Sequence, residues 1–194
     1  MQLIRPSRRY LPAYVEALRR GWSPNTTRDV REEELASITE DAARFLHQLR
    51  GEEAGTVRLT DGREVPRLPG LVRWMSDGSF CGVINFRYQP NTEELPAHVS
   101  GHIGYSVVPW KRCRGYATRA LSLLLPLAWE AGLARVLLTC DADNVASCRV
   151  IAANGGIAGG GEANADRPDV RKLRFWISPP CDASPHLHGP RGGR

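Results

Sequence analysis

Apolar residues recur along the chain with two periods, and the switches between them mark the elements. Gln2 to Arg5 predicts a short strand that Pro6 ends. Tyr10 to Arg20 carries Leu11, Tyr14 and Leu18 on one side, the pattern of an amphipathic helix, and Gly21 stops it. Asp29 to Leu49 keeps the helical period through Leu35, Ile38, Ala42, Phe45 and Leu49. Its first turn holds Glu32, Glu33 and Glu34, which suit the positive end of a helix dipole. These three read as a solvated helix end, with a recognition surface for a cationic amine as the alternative. Gly51 to Pro69 contains Asp61-Gly62 and prolines, the marks of a hairpin. Val72 to Met75 and Phe80 to Tyr88 predict two strands joined by Ser76-Asp77-Gly78-Ser79, and a loop from Gln89 to Pro96 carries Glu93 and Glu94.

The second half centres on Gly101 to Gly115. Gly101 to Val108 predicts a strand, which Pro109 ends because proline offers no N–H to a ladder. A basic turn, Lys111-Arg112-Cys113-Arg114-Gly115, leads into a helix from Tyr116 to Ala131 with Ala117, Leu121, Leu124 and Ala128 on one face. Pro126 inside it predicts a kink. Ala134 to Cys140 is a strongly apolar strand. Asn144 to Asn154 predicts a short helix capped by the Asn144 side chain and ended by Gly155-Gly156. A loose strand from Ile157, a polar loop with Asp166-Arg167-Pro168 and a strand from Lys172 to Ser178 complete one domain, residues 1–178. Residues 1–69 form its N-terminal strand, helices and variable loop, and residues 70–178 its core. Pro179 to Arg194, rich in Pro, Gly and His, reads as a disordered tail, and His186-x-His188 within it is not read as a metal site.

Composition adds little to this picture and excludes some classes. Hydrophobic residues at 42% and charged residues at 24% are ordinary for a globular chain. No run approaches the roughly 18 apolar residues of a membrane span. Met1 to Arg9 lacks the apolar core of a signal peptide. Cys81, Cys113, Cys140, Cys148 and Cys181 form no C-x-x-C pair, so a cytoplasmic protein with reduced thiols is expected. The net charge of +5 admits nucleic acid binding, but no nucleic-acid motif or dense basic stripe accompanies it. A basic pocket for a polyanion explains the charge more simply.

The turn at Lys111 to Gly115 is where that polyanion fits. It brings together free backbone N–H groups, the positive end of a helix dipole, cationic side chains and a glycine without a Cβ in the way, which suits a pyrophosphate. Arg112-x-x-Gly115-x-Ala117 resembles the Gln/Arg-x-x-Gly-x-Gly/Ala signature of the GNAT superfamily of acetyl-CoA-dependent N-acetyltransferases. The strand, the Val-x-Pro, the helix, the second strand and a later Asn-x-x-Ser follow in that family's order, and the resemblance spans Leu71 to Ile177.

The resemblance implies a mixed α/β fold: a mostly antiparallel sheet with helices on both faces and a central parallel strand-helix-strand unit. It implies acetyl-CoA as co-substrate, held by Tyr105, Ser106, Val107 and Val108 along a free strand edge and by Arg112, Cys113, Arg114, Gly115, Tyr116, Ala117 and Thr118 at the turn. Asn144 and Ser147 would lie near the cofactor sulfur. The Tyr105 backbone N–H would polarise the acetyl carbonyl. Many members carry a glutamate base four residues earlier; here that position is Gly101. Glu93, Glu94, His98 and His102 are the candidates in its place, with Glu94 acting through water preferred and His102 read as a core residue. The tyrosine acid of many members is replaced by Ile151, which leaves Ser147 as the nearest hydroxyl. Asn85 and Arg87 share one strand face and would meet the acceptor, Arg87 through a carboxylate or, alternatively, in a sheet-surface salt bridge. The acceptor is an amine on a small molecule or on a protein N-terminus or side chain; no metal is expected, and a homodimer is compatible. Two rivals stand beside this reading: a non-catalytic acyl-CoA-binding module and a nucleic-acid-binding domain.

Overall fold

The computed structural model describes residues 1–51, 55–59, 62–164 and 167–180. β1 (Gln2–Ile4) is followed by α1 (Leu11–Arg19) and α2 (Arg31–Arg50), then by a small hairpin of β2 (Thr56–Arg58) and β3 (Glu64–Pro66). Three longer strands come next, β4 (Gly70–Ser76), β5 (Phe80–Arg87) and β6 (Ile103–Val107). A 3-10 turn over Pro109–Lys111 leads to α3 (Tyr116–Glu130), β7 (Val136–Asp141), α4 (Val145–Ala152), β8 (Ile157–Ala163) and β9 (Arg171–Ile177). The tail expected to be disordered, with Cys181, His186 and His188, and the turn residues Asp61 and Asp166 lie outside the described residues.

Alternation along β4 and β5 builds two cores, one on each face of the sheet. Met75, Ile84 and Phe86 point to α3, where they meet Leu121, Leu124 and Ala128. Trp74 and Val83 point the other way and pack under α1 and α2 against Tyr14, Leu18, Phe45 and Leu46. The Tyr14 ring stacks on Trp74 at 4.9 Å and meets Phe80 edge-on. The helices therefore flank both faces, as the family pattern implies.

Four of the expectations change in detail. The long helix predicted over Asp29 to Leu49 is kinked: Asp41 leaves helical geometry, and its side chain caps the second half by accepting from the N–H groups of Ala43 and Arg44. The acidic first turn is not uniformly solvated, since Glu34 is half-buried and accepts a hydrogen bond from the Tyr14 hydroxyl. Lys111, expected among the cations of the phosphate turn, instead pairs with Asp77 at 2.7 Å. Finally, the central strand-helix-strand unit has no ladder of its own. The sheet divides into β1-β4-β5-β6 and β7-β9-β8, every pair within them antiparallel. α3 runs unbroken through Pro126, which sits on its exposed face.

What joins the two halves is His102, just ahead of β6. Its N–H donates to the Leu137 carbonyl at 2.8 Å, and its ring Nδ1 accepts from the Leu137 N–H at 2.9 Å. The side chain is fully buried, and burial, with the charge of Arg87, pulls its pKa down to about 4. The ring is neutral at pH 7 and carries its proton on Nε2. His102→Leu should leave the Leu137 N–H unpaired and cost about 1–3 kcal/mol in urea denaturation at pH 7. The folded pKa lies below the ordinary 6.5, so this histidine's contribution is full above 6.5 and is lost as pH falls through about 4. The variant should lack that part of the acid loss of stability; an unchanged acid profile would contradict the assignment.

Candidate active site

The phase of the β5–β6 ladder decides which backbone groups are free. The Arg87 N–H donates to the His102 carbonyl at 2.9 Å, and the Val108 N–H to the Cys81 carbonyl at 3.0 Å. Antiparallel partners alternate between bonded and non-bonded pairs. Gly104 and Ser106 therefore bond to β5, while the N–H and C=O groups of Ile103, Tyr105 and Val107 turn toward β7, with which β6 has no ladder. The Val107 carbonyl confirms the phase by accepting from Arg112 Nε at 3.2 Å.

The unladdered edge opens into a cleft of about 2010 Å³ that crosses the molecule between the two half-sheets. Tyr105, Ser106 and Val107 line it from β6, and Arg112, Cys113, Gly115, Tyr116, Ala117 and Thr118 line it from the turn and the start of α3. Asn144 and Ser147 enter from α4. Val108 and Arg114 do not line it. Val108 is fully buried with its N–H bonded to Cys81, and Arg114 is exposed. The side chain of Ser106 is likewise engaged elsewhere: it accepts from Trp22 Nε1 at 2.9 Å and donates to the Ser23 carbonyl.

The turn is shaped for an anion. Gly115 caps α3 with φ of +73°, and a Cβ built there would meet nothing within 4 Å. The N–H groups of Tyr116, Ala117 and Thr118 occupy the first helical turn, where no intrahelical acceptor is available. Lys111 and the Tyr116 hydroxyl both bind Asp77, whose carboxyl they hold well below the usual range, Lys111 foremost. These bonds anchor the turn to the β4–β5 hairpin. The turn's own contribution of positive charge to the cleft comes from Arg112 and the helix terminus.

Across the gap the Tyr105 hydroxyl reaches the Ser147 carbonyl at 3.5 Å, so β6 and α4 approach one another there. Burial pushes the Tyr105 phenol up to about 12. Asn144 caps α4, its Oδ1 accepting from the Ser147 N–H at 3.0 Å. Cys140 lies beside Cys148, sulfur to sulfur 3.5 Å, and burial followed by that neighbour pushes its thiol up to about 12. Such a thiol stays protonated at neutral pH.

Gly101, where the family resemblance implies a glutamate, stands close against the next strand. A Cβ on Gly101 would stand 3.1 Å from the Leu137 carbonyl oxygen, against the backbone of β7. Of the substitutes, His102 is engaged with Leu137, and Glu93 pairs with Arg135 at 2.7 Å. Glu94 and His98 line the cleft and are exposed. Asn85 and Arg87 lie on the α1/α2 face, beside Gly104, where an added Cβ would come within 3.2 Å of both. Arg87 donates to the Gly101 carbonyl and pairs with no carboxylate among the described residues; burial lowers its pKa. Asn85 Oδ1 is buried and accepts no hydrogen bond among the described residues. Trp22 and Trp74 are core residues.

A sequence model of the acetyltransferase (GNAT) domain matches residues 15–157. The chain belongs to the GNAT acetyltransferases. The match begins inside α1, well before Leu71. No curated protein sequence matches significantly. Among solved structures, similar folds include the RimJ protein of Mycobacterium smegmatis in complex with CoA-disulfide, at 22% identity and a TM-score of 0.61 over 91% of this chain and 81% of that one. An acetyltransferase from Salmonella typhimurium that modifies the N-terminal serine of ribosomal protein L7/L12 aligns at 16% identity and 0.60, over 91% and 93%. The microcin C7 self-immunity acetyltransferase MccE, in complex with acetyl-CoA and AMP, aligns at 15% and 0.58, over 91% of each chain. Among the described residues of this GNAT domain no helix is long and apolar enough to cross a membrane, and no cluster of side chains suits a metal.

Asn144→Ala should remove the α4 cap and lower stability by about 1 kcal/mol. Chemical denaturation of the variant measures this, and unchanged stability would show that the cap is idle.

Proposed function

We propose that this acetyltransferase moves an acetyl group from acetyl-CoA directly to an amine. The observation that carries the reading is the free edge of β6 beside the open turn at Gly115. The donors at Tyr105 and Val107 would hold the pantetheine arm as an added strand, and the turn from Arg112 to Thr118 would hold the pyrophosphate. Bound acetyl-CoA supplies the activated thioester carbonyl. The Tyr105 N–H would donate to that carbonyl oxygen as it gains negative charge. The Ser147 hydroxyl would orient and hydrogen-bond the sulfur.

Direct attack is favoured over an acyl-enzyme because Cys140 and Cys148 face each other, sulfur to sulfur, rather than a base that would activate either thiol. Arg87, which pairs with no carboxylate among the described residues, would suit an acceptor that also carries a carboxylate, and the Asn85 Oδ1 would accept from an N–H of that acceptor. Glu94 at the exposed rim would exchange protons through water. The acceptor amine of the ribosomal-protein enzyme is a protein N-terminus, and both a protein terminus and a small molecule are compatible with a cleft of this size. A second reading, an acyl-CoA-binding module without catalysis, draws on Gly101 and Ile151 standing where relatives carry a base and an acid. Amine-dependent release of CoA thiol separates the two readings.

Acetyl-CoA should protect the protein against heat. Gly115→Asp brings a carboxylate to the anion turn. Nothing within 4 Å blocks its Cβ, but the φ of +73° strains it, so the variant should be less stable and its heat protection by acetyl-CoA should vanish, with Gly115→Ala as the control for the strain alone. Full protection in Gly115→Asp would remove the basis of the reading. Ser147→Ala should lower kcat by about 10²-fold, the low end for an acid–base contribution, and leave the acetyl-CoA Kd unchanged. Parental turnover would mean that water or another group meets the thiolate.

A further inference from the structure

Six carboxylates face the cleft, and their partners sort them. Glu33 pairs with Arg28, Glu93 with Arg135, and Asp141 with Arg167, while Glu162 lies 3.7 Å from Arg174. Glu34 and Glu94 have no cationic partner among the described residues. Glu94 is exposed on the loop after β5. Glu34 is half-buried on α2, on the side of the sheet that carries Val72, Trp74, Val83 and Asn85.

Its setting is rigid. The Tyr14 hydroxyl donates to the Glu34 carboxylate. The Tyr14 ring is 1% exposed and is locked by Trp74, Phe80, Trp22 and Phe45. A carboxylate fixed on an aromatic post, over an apolar floor and without a counter-charge, is a poor structural element. It becomes favourable when a ligand brings the missing positive charge.

We propose that Glu34 binds the ammonium group of the acceptor and takes the proton that it must lose before attack. This rests on the acetyltransferase reading above and deepens it. The ammonium gives one proton to the Glu34 carboxylate. The freed nitrogen lone pair forms the N–C bond as the C–S bond breaks. The second nitrogen proton neutralises the departing thiolate, and Glu34 returns its own proton to water. The substrate class is a primary amine that is cationic in solution.

The electrostatics agree. Burial, and then the charge of Glu33, push the Glu34 carboxyl up to about 7 against the opposing pull of the Tyr14 hydroxyl. The other charged groups lining this side of the cleft are Arg28, which pairs with Glu33, and Arg63 and Arg87. A base with a midpoint near neutrality is half-ready at working pH.

The test compares Glu34→Gln, Glu94→Gln and Tyr14→Phe with the parent. Acetyl-CoA heat protection should be equal in all four, because none of these residues is assigned to the cofactor. Its absence from the parent would sink the acetyltransferase reading, not the Glu34 assignment. Independently of that result, the Glu34 carboxyl is followed by ¹³C NMR with n-butylammonium chloride as the probe. Its midpoint should move to lower pH when the probe binds; a midpoint indifferent to the probe would overturn the proposal. With n-butylamine as acceptor, kcat/KM of the parent should rise with pH through about 7. Glu34→Gln should lose about 10²- to 10⁴-fold together with that rise. Tyr14→Phe should shift the rise to higher pH, since the hydroxyl no longer stabilises the carboxylate. A parental rate and profile in Glu34→Gln, or the same loss in Glu94→Gln instead, would also overturn it.

Discussion

The architecture depends on where β6 and β7 stop bonding to one another. Two hydrogen bonds at His102 and Leu137 hold the strands together at their beginnings. Beyond that point β6 continues on β5 and β7 continues on β9, and no ladder joins them. A buried strand edge without partners would carry a cost of several unpaired N–H and C=O groups. An edge that faces a cleft avoids the cost and can lend its donors to a ligand. The ladder phase decides which donors these are, and it leaves Tyr105 and Val107 facing the gap. Gly101 belongs to the same constraint: the strands are so close at the junction that a side chain there would crowd the Leu137 carbonyl. Closure at one end and opening at the other thus disfavour any side chain at position 101.

Much of this was legible locally. The proline after the β6 strand, the glycine at the start of α3 and the asparagine cap of α4 act through their own backbone geometry, and each stands where its chemistry predicts. Residues whose role depends on a distant partner were not legible. Lys111 reads as one cation of the basic turn, and only Asp77, 34 residues away, places it in the hairpin anchor. Asp41 reads like any polar residue on a helix surface, and only its dihedral angles and its two accepted N–H groups reveal a cap. Glu34 sits in a run of three glutamates that sequence alone cannot tell apart. The landing of α1, which brings Tyr14 over Trp74, separates it from its neighbours.

The two faces of the sheet divide the labour. On the α3 face, apolar packing fixes the helix whose N-terminus forms the anion turn. On the α1/α2 face, an aromatic core carries polar groups at its margin, with Arg87 and Asn85 on the strand side and Glu34 on the helix side. A cationic and an anionic side chain in one cleft, neither paired with a charge among the described residues, point to an acceptor with polarity of its own. Bound at the free edge of β6, the co-substrate would lie between the two faces.

Residue-resolved amide hydrogen exchange tests the central claim most directly. Without ligand, the amides of Tyr105 and Val107 should exchange much faster than those of Gly104 and Ser106 on the same strand. Acetyl-CoA should slow Tyr105 and Val107 and leave the other two as they were. Equal protection of all four amides without ligand, or no slowing with it, would show that the edge of β6 is not the free edge on which this account rests.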